Sequence, residues 1–238
     1  MKDTTRSLAM LSGASLCLLG LAATLAYPAA PEFVDEPAKI AAFYGDNSAA
    51  LLGANWIYLL AGALMVVFAG ALRSILNRSE GGDGLLSGLA FGGILAGAAV
   101  TLAGTALDTA AALRVDEQGS IAPDIAATLA DGHNVLFGMA APMAFGVAVL
   151  ATAALAFRTS VLPTWLAVLS AVLGIALLVA PIAYIAAIVF TFWCLVTGLV
   201  LYLQSRTEES PVPAGGMAQP GSPESIPTSG ASGARSSV

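Results

Sequence analysis

Long apolar runs separated by short polar stretches dominate this chain. They lie near Leu8–Ala26, Ala49–Leu72, Leu85–Leu107, Asn134–Phe157, Ser160–Ala180 and Ile182–Leu203. A helix needs about 20 apolar residues to cross a hydrocarbon core of about 30 Å, so the pattern predicts an all-α, polytopic membrane protein with six transmembrane helices in three hairpins. The last two runs are nearly continuous, too long for one crossing even with tilt. Ala180-Pro181 supplies the break, because proline removes a backbone donor and clashes with the preceding turn, and a tight helical hairpin is expected there. The first run has a basic start at Met1–Arg6 and a Thr24-Leu25-Ala26 stretch that resembles a cleavage site. Its apolar core exceeds the roughly 7–15 residues of a signal peptide, and it is read as an uncleaved first helix.

The polar stretches carry a second pattern. Shifting the sequence by 85 residues aligns Ile40–Ser74 with Ile125–Thr159 without a gap, pairing Ile40 with Ile125, Asp46 with Asp131, Leu51 with Leu136, Gly53 with Gly138 and Arg73 with Arg158. Each copy opens, after Pro37 or Pro123, with helically spaced apolar residues: Ile40, Phe43 and Tyr44, then Ile125 and Leu129. These predict two short external interfacial helices lying on the outer leaflet, each followed by a returning span. Both copies begin on the same side, which makes this a parallel internal repeat. From Ser205 onward prolines alternate with Gly, Ser and Ala, a composition that cannot bury enough surface to offset its ordering entropy. The expected organisation is a six-helix transmembrane domain over residues 1–205 and a disordered cytoplasmic tail over residues 206–238.

Composition agrees with a membrane location. Of 238 residues, 58% are hydrophobic and 10% charged, against roughly 25% charged in a soluble domain. The net charge of −6 mixes two membrane faces and identifies no partner; nothing is basic enough for nucleic acid. Lys2 and Arg6, Arg73 and Arg78, Arg158, and Arg206 sit at alternate ends of successive runs, with Lys39 and Arg114 opposite. The positive-inside rule then places both termini in the cytoplasm, leaving Glu32, Asp35, Glu36, Asp46, Asp116, Glu117, Asp124 and Asp131 outside. Cys17 and Cys194 fall inside apolar runs and behave as small hydrophobes.

The interfacial stretch before the second span, the ALRS and AFRTSVLPTWL exits, the Ala/Gly-rich spans and the final hairpin together resemble a large group of bacterial six-helix membrane proteins known only as a domain of unknown function. The likeness covers roughly residues 8–205. It implies a multi-pass protein of the bacterial plasma membrane and brings no activity or catalytic residues with it.

Chemistry is sparse. No phosphate loop, HExxH, paired CxxC or nucleophile elbow occurs, and with one histidine a zinc site is not expected; no cofactor is expected either. In the third run Gly88, Gly92, Gly93 and Gly97 form overlapping small-xxx-small patterns, suited to a partner or a second copy of the chain. Gly93, Gly97, Thr101, Gly104 and Asp108 share one stripe at helical spacing, so Asp108 is expected to face protein. A carboxylate in a span costs about 2.5–3.5 kcal/mol at mid-helix. Asp108 is read either as an interfacial residue reaching water or as a polar site completed by Thr105, His133, Asn134 and Asn55. His133 and Asn134 have a plainer reading as caps of the fourth span, and Pro142 is expected to kink it. Two function classes remain: a non-enzymatic scaffold, sensor or accessory subunit, and a small proton, cation or solute transporter using Asp108. An enzyme is not expected, because one Asp and one His define no reaction class.

Overall fold

Proline and glycine punctuate the fold. The computed structural model describes residues 2–32, 35–179 and 183–208, all of them helix or short connection. Helix α1 covers Lys2–Ala26 and ends just before Tyr27-Pro28. Helix α2, Pro37–Glu80, starts with proline in its first turn, where the missing N–H does no harm, and runs 44 residues to Gly81 at φ 64. Helix α3, Leu85–Gln118, is capped by Gly119 at φ 75, whose N–H reaches the Val115 carbonyl at 2.7 Å. Helix α4, Pro123–Val135, again begins on proline; α5 is Ala141–Thr159, α6 Thr164–Val179 and α7 Ala183–Glu208. The last residues of the expected tail, from 209, lie outside the described residues, as does the Ala180-Pro181 break.

Four helical stretches are long and apolar enough to cross a membrane: Thr4–Ala26, Pro37–Glu80, Leu85–Gln118 and Pro123–Thr159; Thr164–Leu178 and Ile188–Gln204 are shorter apolar helices. Large apolar side chains face outward along them, among them Leu18, Leu60, Val172 and Ile175. The chain is a multi-pass membrane protein.

The first expected interfacial helix is not a separate element, while the second is the short α4. Ile40 and Tyr44 belong to the unbroken α2, which at 1.5 Å per residue is about 66 Å long, twice the hydrocarbon thickness. Gly45-Asp46-Asn47-Ser48 are poor helix formers, but Ile40, Tyr44, Leu51 and Asn55 remain on one buried face across them, so packing overrides propensity. The second stretch also enters its span without a turn. There Leu136–Ala140 is a π-helical turn between α4 and α5. Pro142 has no N–H for the Gly138 carbonyl four residues back, and the ladder shifts register, with the Ala141 N–H bonding the Leu136 carbonyl five residues back. The expected kink at Pro142 takes this form, and the first copy has no counterpart, since α2 stays α-helical throughout.

Each helix has a clear neighbour: α2 packs on α1 and α3, α3 on α5, α5 on α6, and α7 on α1. Along their described residues α6 and α7 meet only sparingly, with Trp193 Nε1 donating to Ser170 Oγ at 2.8 Å. The expected tight pairing of the last two helices is therefore replaced by a pairing of the last helix with the first. Glycine permits it: a Cβ on Gly13 would lie 2.6 Å from the Cys194 carbonyl oxygen, and one on Gly198 2.6 Å from that of Ala9. At the other end of α2, the Glu80 carboxylate accepts from the Leu86 and Ser87 N–H groups at 2.7 and 2.9 Å, capping α3. Desolvation opposes that charge, but the bonds from Ser87 and Leu86 and the field of Arg158 hold its pKa below the usual glutamate value.

Buried apolar residues form two clusters. The larger takes α2 from Ala61 onward and α3 up to Ala98, with α1, α5, α6 and α7. The smaller joins Ile40, Tyr44 and Leu51 of α2 to Ala111, Ala112 and Val115 of α3 and Ala126 of α4. The α3 glycines divide accordingly. Gly93 and Gly97 are filled within the chain: a Cβ on Gly93 would meet the Ala144 carbonyl at 2.7 Å, and one on Gly97 would overlap the Phe145 ring. Gly88 and Gly92 have open space around them. Only these two remain for an outside partner. We expect Gly93→Ala and Gly97→Ala to lower stability by about 1–3 kcal/mol through overpacking, while Gly88→Ala and Gly92→Ala stay within about 0.5 kcal/mol. Thermal melts in detergent read the difference, and equal melts for all four would refute the division.

Candidate functional site

Between the two apolar clusters lies a polar layer: Asn55 on α2; Thr101, Thr105 and Asp108 on α3; and His133 on α4. The stripe geometry expected of α3 holds, with Gly97, Thr101, Gly104 and Asp108 all buried. Asp108 is 0% exposed, so it does not reach water as an interfacial residue would. A carboxylate so placed is tolerable only if donors replace its hydration, and three do. Tyr44 Oη donates to Oδ1 at 2.6 Å, while Asn55 Nδ2 and Tyr27 Oη donate to Oδ2 at 2.8 and 3.0 Å. Tyr27 comes from the segment after α1, Tyr44 and Asn55 from α2. One side chain thus ties three segments of chain together.

The other expected members take different partners. Thr105 Oγ1 donates to the Thr101 carbonyl of its own helix at 2.9 Å, the usual resort of a helical threonine. His133 is buried and its Nδ1 lies 3.0 Å from the Gly104 carbonyl; a carbonyl only accepts, so Nδ1 carries the proton. Asn134 borders a groove beside the layer. Neither residue caps a helix, since both fall in the last turn of α4, whose N-cap is Ala122. Asn55 and Asp108 are therefore brought together, whereas Thr105 and His133 bond the Thr101 and Gly104 carbonyls and Asn134 lies at the groove. The two tyrosines went unread: Tyr27 follows the cleavage-like stretch, and Tyr44 counted as an apolar anchor. A buried tyrosine hydroxyl seeks a partner, and Tyr44 lies 11 residues, about three turns, before Asn55; that register was the available signal.

Aromatic rings surround the layer. His133 stacks on Tyr27 (centroids 6.4 Å apart, 9° between planes) and on Phe137 (5.3 Å, 26°). Tyr58 meets Tyr27 and Phe137 edge-on at 6.5 and 5.4 Å, and its hydroxyl lies 3.0 Å from Thr24 Oγ1. These rings wall a groove of about 610 Å³ that runs along Tyr27–Glu32, Tyr58 and the π-helical turn. Phe137, Gly138 and Met139 of that turn line it, and a widened turn is a common companion of functional sites. A smaller pocket of about 20 Å³ touches Asp108, Tyr44 and Asp131, room for about one water molecule. At the rim Asp35 accepts from Lys39 Nζ at 2.8 Å and from the Glu32 N–H at 2.7 Å. The Lys39 bond, followed by the Glu32 bond, holds the Asp35 carboxyl below its usual range, and Asp35 in turn raises Lys39.

Asn55 Oδ1 is buried and has no hydrogen-bond partner. Turning the amide over would point this oxygen at the carboxylate, so the orphan is a consequence of serving Asp108. Among the described residues no group of three His, Cys, Asp or Glu side chains is placed to hold a metal. No family model, curated protein or solved structure matches the chain.

The arrangement makes Asp108 a keystone with predictable energetics. Tyr44→Phe removes one charge-assisted bond and is expected to cost about 1.5–3 kcal/mol. Asp108→Ala strands the Tyr44 hydroxyl and Asn55 amide in a buried site and is expected to cost about 3–5 kcal/mol. The double variant should cost clearly less than the sum. Strict additivity, or an Asp108→Ala effect within about 0.5 kcal/mol as at a surface position, would refute the keystone.

Proposed function

We propose that this chain is a non-enzymatic component of a bacterial plasma membrane, a scaffold, sensor or accessory subunit whose external end is a fixed receiving surface. The supporting observation is that Asp108, the one carboxylate at membrane depth on its stripe, is committed to three donors, one from the segment after α1 and two from α2. Such a group holds helices in register. The two apolar clusters on either side of it make the external end a small helical cap on the bundle.

In this reading α6 and α7 complete a six-span domain with both termini in the cytoplasm, and the alternation of Lys2, Arg6, Arg73, Arg78, Arg158 and Arg206 with the acidic loops supports that orientation. The aligned stretches Ile40–Ser74 and Ile125–Thr159 are both helical throughout, in keeping with a parallel duplication whose second copy acquired the π-helical turn. The resemblance to the bacterial six-helix group is consistent with these features. Gly88 and Gly92, open on α3, are the place for a partner helix or a second copy. Orientation is tested by single cysteines: one at Gln118 should react with an impermeant reagent added outside intact cells and one at Gly81 should not. The reverse pattern would invert the topology.

A second reading, a small proton, cation or solute transporter using Asp108, is favoured by the orphaned Asn55 Oδ1, an acceptor that a proton or cation beside the carboxylate would complete. Flux in reconstituted vesicles separates the two. The scaffold reading expects no Asp108-dependent proton or cation flux and a less stable Asp108→Asn protein. Flux in the native chain, abolished by Asp108→Asn without loss of folding, would overturn it in favour of transport.

A further inference from the structure

We infer that the groove beside the Asp108 layer binds a lipophilic organic cation. The inference rests on the reading of the chain as a sensor or accessory subunit and supplies the ligand class it would receive. At about 610 Å³ the groove is in the range of small-molecule sites, roughly 300–1,000 Å³. Its walls are aromatic: Tyr27, Tyr58 and Phe137 all line it, and His133 lies between two of them. Aromatic faces carry negative potential and attract cations, quaternary ones included.

Charge around the groove has the matching sign. Glu32 stands at the rim, and among the described lining residues there is no Lys or Arg. Lys39, the nearest cation in sequence, is engaged by Asp35 at 2.8 Å. His133 is fixed by its Nδ1–H to Gly104, so in its neutral form the remaining nitrogen offers a lone pair to an N–H of the ligand. An anionic headgroup would meet the Glu32 carboxylate at the rim and no cationic side chain among the described lining residues.

The apolar part of the ligand also has a place. Thr24, Tyr58 and Phe137 are shared with a narrower pocket of about 40 Å³ that continues between α1, α2, α5 and α7 towards Gly20 and Thr191. A wide acidic and aromatic mouth leading to a narrow apolar slot suits a cation with hydrocarbon arms, delivered from the membrane's outer face. Zwitterionic and neutral amphiphiles lack the net charge that the rim selects.

The test uses the full chain in nanodiscs of zwitterionic lipid, with equilibrium dialysis of tetraphenylphosphonium and of tetraphenylborate, which share size and shape and differ in sign. Saturable binding of one tetraphenylphosphonium per chain, with only unsaturable partition of tetraphenylborate, is expected. Glu32→Gln, an exposed change that leaves the thermal melt in place, should weaken binding about two- to fivefold. Phe137→Leu should weaken it about two- to tenfold, and Trp165→Leu on the outer face of α6 should do nothing. If Phe137→Leu fails to fold, Ala30→Trp at the exposed rim replaces it and should block binding. Equal saturable binding of the borate, or affinity unmoved by both groove variants, would overturn the inference and leave the scaffold reading untouched. Saturable phosphonium binding accompanied by Asp108-dependent uptake into vesicles would keep the site and overturn that reading instead.

Discussion

A carboxylate excluded from water must find donors inside the protein, and in this chain that requirement organises one end of the helical bundle. Asp108 is carried to the protein-facing stripe of α3 by the same periodicity that puts Gly97 and Gly104 there. Once buried, it dictates what stands opposite: a tyrosine from the segment after α1, and a tyrosine and an asparagine three turns apart on α2. The length of α2 follows from this. Tyr44 reaches the carboxylate only if the helix continues unbroken through Gly45–Ser48, and it does, against local propensity. Desolvation energy at one residue thus governs the path of about 20 residues of backbone.

The groove is the complement of that arrangement. Asp108 draws Tyr27 inward and with it the Pro28–Pro31 segment, which becomes one wall. Pro142 displaces a hydrogen bond and opens the π-helical turn, which becomes the other, and His133, held to the buried Gly104 carbonyl, stacks between Tyr27 of the first and Phe137 of the second. None of these features was made by the groove residues alone. The site is a by-product of satisfying backbone and carboxylate groups where water is scarce.

Much of this was legible in the sequence. Run lengths gave the long helices, and spacings of four, four, three and four gave the buried stripe with Asp108 at its end. Asn55 was placed beside it because it lies at the same end of a neighbouring span. What stayed hidden had physical reasons. Hydropathy treats tyrosine as an interfacial residue, so Tyr27 and Tyr44 were not counted as donors. The stretch around Ile40 and Tyr44 read as a helix distinct from the following span because propensity is local and burial is not. Proline signals a disturbed helix but does not say whether the chain bends or changes register at Gly138. The pairing of α7 with α1 depends on Gly13 meeting the backbone at Cys194 and Gly198 meeting it at Ala9, a relation between distant parts of the sequence that no local pattern carries.

The order of the donors along the chain has a consequence for how the protein is made. Tyr27, Tyr44 and Asn55 all precede Asp108. A chain synthesised from its N-terminus, as domains generally fold, has these three donors in hand before α3 is complete, and they come from no element after α3. The first three long helices can therefore satisfy the carboxylate among themselves, while the apolar faces of α1 and α3 wait for α7 and α5.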